Sequence, residues 1–124
     1  MINIKTRAIN FDLTDAINDY INKKLTPLEK FTGGSSEVLC EVEIGRTTNH
    51  HNSGEIFKAE VNMFVSGSSQ IYAVSEQADL YSAIDLVKDD VERQLVSEKS
   101  KKETLFRRGA GKIKNLLKSL DFRK

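Results

Sequence analysis

Residues 78–102 read ADLYSAIDLVKDDVERQLVSEKSKK. Leu80, Ile84, Val87, Val91 and Leu95 recur at spacings of three and four. At ~3.6 residues per turn this lays one apolar stripe along a helix. Asp79 precedes the stripe as an N-cap, placed to accept a hydrogen bond from an orphan N–H of the first turn. The helix opens acidic and leaves basic at Lys99, Lys101 and Lys102, the order its macrodipole favours. At ~100° per residue, Tyr81, Lys88 and Lys99 share one flank and Arg93 takes the opposite shoulder. The pattern predicts a helix with a buried stripe and a partly basic rim.

Upstream, the period changes from helical to two and back. Ile2, Ile4 and the exit Arg7-Ala8-Ile9 predict a first strand. Thr14-Asp15 caps a helix whose stripe is Leu13, Ile17, Tyr20, Ile21, Leu25, Leu28 and Phe31. Pro27 removes one N–H inside that pattern, so the helix should kink or restart nearby. Gly33-Gly34-Ser35-Ser36 predicts a loop. Val38, Cys40, Val42 and Ile44 then alternate with Glu37, Glu41 and Glu43, with Leu39 as the exception. Such alternation predicts a half-buried strand with a wet, acidic face. After a polar loop from Arg46 to Gly54, Phe57, Ala59, Val61, Met63 and Val65 alternate with Lys58, Glu60 and Asn62. Ser66-Gly67-Ser68-Ser69 is a hairpin connection to a fourth strand at Ile71-Tyr72-Ala73-Val74.

The predicted fold class is therefore α+β, a two-layer β-α-β-β-β-α sandwich with two helices on one face of a four-stranded sheet. The first strand should pair parallel to a later one through a crossover over the first helix, and the other three should form an antiparallel meander. The strand–strand–strand–helix half resembles a double-stranded-RNA-binding domain. The chain of 124 residues suits one modest core. It has no run of ~18 apolar residues to span a bilayer, and it opens directly as a strand with no signal-peptide pattern. Its single cysteine, Cys40, excludes an intramolecular disulfide and suits a reducing cytosol.

Asp79-Leu80-Tyr81-Ser82-Ala83-Ile84-Asp85, followed by Glu92-Arg93-Gln94-Leu95 and a lysine-rich exit, resembles the second helix of the ribosome hibernation promoting factor family, which includes the short ribosome-associated inhibitors of translation. Lys24-Leu25 with Leu28-Glu29-Lys30 is similar to that family's first-helix ending, although Pro27 stands where relatives often carry a lysine. Val96-Ser97-Glu98 likewise replaces positions that are often basic. The resemblance covers about residues 1–102. It implies a cytoplasmic, stress-linked factor that occupies the small ribosomal subunit near the decoding centre and excludes messenger and transfer RNA. It implies no enzyme activity, cofactor or small-molecule substrate. The partners would be ribosomal RNA and ribosomal proteins, met by a monomer in solution.

Charge is distributed unevenly. Residues 1–98 hold nine Lys/Arg against sixteen Asp/Glu, whereas residues 99–124 hold ten against two, a swing from −7 to +8. A basic arm of this kind seeks a polyanion. Residues 103–124 read as a flexible basic extension, with Gly109-Ala110-Gly111 breaking the chain before a short amphipath of Ile113, Leu116, Leu117 and Leu120 among Lys112, Lys114 and Lys118. Under ~12 residues such a helix is marginal in water. Three uses compete for it, in this order: folding onto ribosomal RNA or protein, docking on its own domain, or lying on anionic lipid.

Catalytic patterns find little support. His50 and His51 are adjacent and diverge in an extended loop, and no Cys/His cluster approaches zinc-ligand spacing, so no metal is expected. Glu41/Glu43 and Asp89/Asp90 suit solubilising charge better than an acid/base dyad. Gly33-Gly34 lacks the Lys and Ser/Thr of a phosphate loop. Phe57, Phe64 and Tyr72 are able to stack bases, but an acidic sheet face carrying Glu37, Glu41, Glu43 and Glu60 would repel RNA. RNA is therefore expected on the helix layer, through Lys24, Lys88, Arg93, Lys99, Lys101 and Lys102, with Arg107 and Arg108 extending the track. Lys24 falls within the apolar stripe of its helix, which suits a lysine at the seam between two helices with its ammonium offered outward.

Overall fold

The computed structural model describes residues 2–33, 37–48, 55–66 and 70–121, with side-chain detail for these except 48, 55 and those from 102 onward. The expected loops at Gly34–Ser36 and Gly67–Ser69 and the pair His50–His51 lie outside the described residues. Strand β1 (Ile2–Ile9) leads to helix α1 (Asp15–Leu25) and a 3₁₀ segment (Thr26–Phe31). Strands β2 (Val38–Thr48), β3 (Glu55–Val65) and β4 (Ile71–Gln77) follow, then helix α2 (Leu80–Asp121).

Local chemistry accounts for the boundaries. Thr14 accepts a hydrogen bond from the Ile17 N–H at 3.2 Å, capping α1. Pro27 stands at the start of the 3₁₀ segment, where its missing N–H costs nothing, so the helix tightens and restarts there. Asn10 takes φ +67°, a conformation asparagine tolerates, and its amide donates to the Arg46 carbonyl. Asp79 caps α2, accepting from the Ser82 N–H at 3.0 Å and from the Ser82 hydroxyl at 3.1 Å.

The sheet runs in the order β1-β2-β3-β4. β1 pairs parallel to β2, with Ile4 opposite Cys40, and β2-β3-β4 form the antiparallel meander, with Val42 opposite Val61 and Val61 opposite Ala73. Because side chains alternate, Val38, Cys40, Val42, Ile44, Ala59, Val61, Met63, Val65, Ile71 and Ala73 all fall on one face and are buried. Against them pack Ile21 and Leu25 of α1, Leu28, and the α2 stripe of Leu80, Ile84, Val87, Val91 and Leu95. Both helices thus cover one face and leave the other open.

Two expectations need correction. The expected break at Gly109-Ala110-Gly111 is absent: α2 continues through it to Asp121, a helix of 42 residues. A helical glycine costs only about 1 kcal/mol relative to alanine, and the flanking Lys, Leu and Arg are good helix formers, so propensity forces no stop. Phe57 does not join the open sheet face. Odd positions of β3 point inward, and Phe57 packs against the core, edge-to-face with Phe11 at 6.2 Å between ring centres.

Candidate nucleic-acid interface

The two helices meet through a polar cluster. Tyr20 on α1 donates its hydroxyl proton to Asp85 Oδ1 on α2 at 2.5 Å, and Lys24 Nζ stands 3.5 Å from the same oxygen. Tyr20 also meets Tyr81 edge-to-face at 4.8 Å, and Lys24 lies 5.4 Å from the centre of the Tyr20 ring. The hydrogen bond to Asp85, together with burial, pushes the Tyr20 hydroxyl up to about 12 from 10.0. Lys24 therefore occupies the seam between the helices, one face of its ammonium bound and the remainder open to water.

Along α2 the other expected contacts divide into two groups. Lys88 shares the Tyr81 flank and lies 3.5 Å from both Asp89 and Glu92. Lys99, one further helical repeat along, is exposed and makes no ion pair with a described residue. Arg93 lies on the other shoulder, donating to Asp90 at 2.9 Å. It lines a cleft beside β4 with Gln70, Ile71, Gln94, Ser97, Glu98 and Lys101, and Lys101 also has no ion-pair partner among the described residues. Lys102, Arg107 and Arg108 lie on the helical backbone of α2, and their side chains fall outside the described residues. The five expected contacts whose side chains are described thus lie on the helices without forming one patch. Lys24 lies in the α1–α2 seam and Lys88 and Lys99 follow it along the Tyr81 flank of α2, while Arg93 and Lys101 line the cleft beside β4.

The open sheet face is more mixed than its glutamates suggest. Lys5 and Arg7 of β1 share a groove of about 310 Å³ with Glu41, Glu43, Glu60 and Asn62. Lysines and arginines are not confined to the helices and the extension, because Lys5, Arg7 and Lys58 occupy outward positions of β1 and β3. Arg7 pairs with Glu43, and Lys58 with Glu60 at 3.5 Å. Tyr72 also donates to Glu60, at 3.0 Å. Arg7 and Lys58 are thus paired with strand neighbours, and with Glu41, Glu43 and Glu60 beside Lys5 the face has no surplus of positive charge.

Three features escaped the reading of the sequence. Asp85, the carboxylate that joins Tyr20 to Lys24, was read only as the end of the Asp79–Asp85 string, with no role of its own. Gln94 donates to the Tyr72 carbonyl at 2.7 Å and so ties α2 to the exposed edge of the sheet. The β1 cations were legible from alternation alone. Among the described residues no group of His, Cys, Asp and Glu is arranged to hold a metal ion. Burial pushes the Cys40 thiol up to about 12 from 9.0, which keeps it protonated and unreactive.

The family described as Sigma 54 modulation protein / S30EA ribosomal protein matches residues 2–103. The chain belongs to this family. Among its relatives, the ribosome hibernation promoting factor of Azotobacter vinelandii is 32% identical over 90 residues, covering 73% of this chain and 76% of that protein. The factor of the same name from Klebsiella oxytoca is 30% identical, covering 74% and 87%. Among solved structures, the N-terminal domain of Thermus thermophilus Protein Y superposes with a TM-score of 0.63 at 32% identity, covering 77% of this chain and 97% of that one. In this family member the four-stranded sheet with two helices on one face is the scaffold that presents the seam and the basic end of α2.

Proposed function

We propose that this family member is a ribosome hibernation factor that binds the small ribosomal subunit near the decoding centre and blocks access of messenger and transfer RNA, inhibiting translation under stress or in stationary phase. The observation that carries this reading is the match of residues 2–103 to a family whose relatives are named for ribosome hibernation. The charge layout supports it, since Lys99 and Lys101 have no ion-pair partner among the described residues where α2 passes the end of the core. Helix cations of this kind meet phosphates and set position, while the bulk of the domain excludes other ligands from the same channel. The likeness to a double-stranded-RNA-binding domain belongs to the same reading, with ribosomal RNA approached through the helix layer. The mechanism needs no turnover and no cofactor.

The test is sedimentation with purified small subunits and with free duplex RNA at two salt concentrations. Selective, saturable uptake by small subunits is expected, weakening steeply with salt as counterions return to the phosphates. Equal uptake by any duplex would instead mark a generic RNA-binding module acting away from the ribosome. Changing Lys99→Glu, Lys101→Glu and Lys102→Glu together should abolish small-subunit binding while moving stability by no more than about 0.5 kcal/mol, because these residues follow the last buried stripe residue, Leu95. Binding that survives this triple change places the interface elsewhere.

A further inference from the structure

The part of α2 beyond the domain carries a second apolar stripe. Leu95 is the last buried residue of α2 among the described side chains, yet the helix continues to Asp121. At 1.5 Å per residue that is about 39 Å of further helix. Counting ~100° per residue from Leu95, Phe106, Ile113, Leu117 and Leu120 return to within about 40° of its direction, and Leu116 falls about 60° away. Arg107, Arg108, Lys112, Lys114 and Lys118 fall at about 100° or more. Lys99 and Lys102 interrupt this direction, at about 40° and 20° from Leu95, and the apolar positions resume it from Phe106 onward, past the end of the sheet. Cations flank this stripe on both sides.

We propose that this extension is a binding element for an anionic lipid surface, lying in the interface with its apolar stripe toward the acyl chains and its cations among the headgroups. The alternative occupants fit this pattern less well. RNA phosphates would engage the cations and leave Phe106, Ile113, Leu116, Leu117 and Leu120 against water. Pairing with the extension of a second copy would cover the stripe, but residues 99–124 of each chain carry +8, so the two helices repel. Docking on its own domain would require the chain to turn back, and the helix is continuous. An anionic bilayer satisfies both halves, the combination that holds amphipathic helices in a membrane interface. Spanning is excluded for the described helices, none of which is long and apolar enough to cross a membrane.

The test is flotation of the full-length chain with vesicles of phosphatidylglycerol and phosphatidylcholine, and with phosphatidylcholine alone, at about 0.15 M salt. The parent chain should float with the anionic vesicles and remain behind with the neutral ones. Lys112→Gln with Lys114→Gln and Lys118→Gln should weaken anionic binding about a hundredfold, from ~1 kcal/mol per basic residue near the surface. Leu116→Ser with Leu117→Ser should weaken it at least about tenfold through lost apolar burial, while small-subunit binding and melting hold steady. The proposal is overturned if the parent chain stays with the aqueous phase. It is equally overturned if the leucine variant floats like the parent, since pure charge attraction then suffices, or if that variant loses small-subunit binding, which would make the stripe ribosome-facing. These readouts are separate from the hibernation test: vesicle binding can fail with ribosome binding intact, and the reverse.

Discussion

Asp85 is one carboxylate serving two partners on a neighbouring helix, and replacing it should move stability and binding in opposite directions. In Asp85→Asn the Tyr20 hydroxyl loses a charged acceptor at 2.5 Å, and Lys24 loses its counterion at 3.5 Å. A hydrogen bond to a charged group contributes about 1.5–3 kcal/mol when shielded. The Asp85 side chain is 44% exposed, so the lower end applies after solvent screening, about 1 kcal/mol, with the half-exposed Lys24 pair adding about 0.5 kcal/mol. Asp85→Asn should cost about 1.5 kcal/mol and Tyr20→Phe about 1 kcal/mol in urea unfolding, lowering the melting point by roughly 3–6 °C per kcal/mol. Because they act on one bond, the double variant should fall short of additivity by about 0.5–1 kcal/mol. Binding should respond the other way: with its counterion gone, Lys24 is free for phosphate, and small-subunit affinity should rise about twofold to fivefold. The hydroxyl also ties the seam to pH. Its folded value, about 12, lies above the ordinary 10.0, so its contribution is complete below pH 10 and drains away as pH rises toward 12. Tyr20→Phe should remove that alkaline loss. Strict additivity of the two substitutions, or weaker RNA binding by Asp85→Asn, would refute this account of the seam.

Thr6 Oγ1 is the one buried side-chain polar atom without a hydrogen-bond partner among the described residues, so Thr6→Val should stabilise the fold by about 1 kcal/mol in denaturant titration. Gln94→Ala removes the 2.7 Å bond to the Tyr72 carbonyl and should cost about 1 kcal/mol, with amide exchange rising first along β4. The Cys40 thiol, held up to about 12 by burial against an ordinary 9.0, should react with a thiol reagent at pH 8 only as fast as the domain opens. Labelling much faster than global unfolding would show that β2 is less enclosed than its packing indicates.

Much of this was legible because the core is written in two clean periods. Val38 to Ile44 and Phe57 to Val65 alternate, and Leu80 to Leu95 repeats at helical spacing, so each strand and helix declares its buried face. Asp79 and Thr14 cap the helices as their chemistry predicts. Pro27 was equally readable, since a residue without an N–H starts a helical segment far more easily than it continues one. The extension was read less well. Glycines at 109 and 111 suggest a break to anyone counting residues, but their cost is small beside a long run of helix formers, and only the continuous backbone shows that the second stripe stays in phase with the first.

The candidate interface was legible as a set of residue types and illegible as a pattern of pairing, because a lysine's usefulness depends on its neighbour in space. Lys88 and Arg93 read from the sequence like Lys99 and Lys101, yet Lys88 lies between Asp89 and Glu92 and Arg93 is held by Asp90. On the sheet, Arg7 and Lys58 lie against Glu43 and Glu60, carboxylates brought beside them by strand register or alternation. Internal pairing therefore engages Arg7, Lys24, Lys58, Lys88 and Arg93 in the body of the domain and, among the described residues, leaves Lys99 and Lys101 free where α2 leaves the core. A chain of net charge +1 can in this way present a strongly positive end to a polyanion. The attraction that orients such a ligand is set by which cations remain unpaired, and among the described residues Lys99 and Lys101 past Leu95 are two of these, with Lys5 and Lys23 elsewhere.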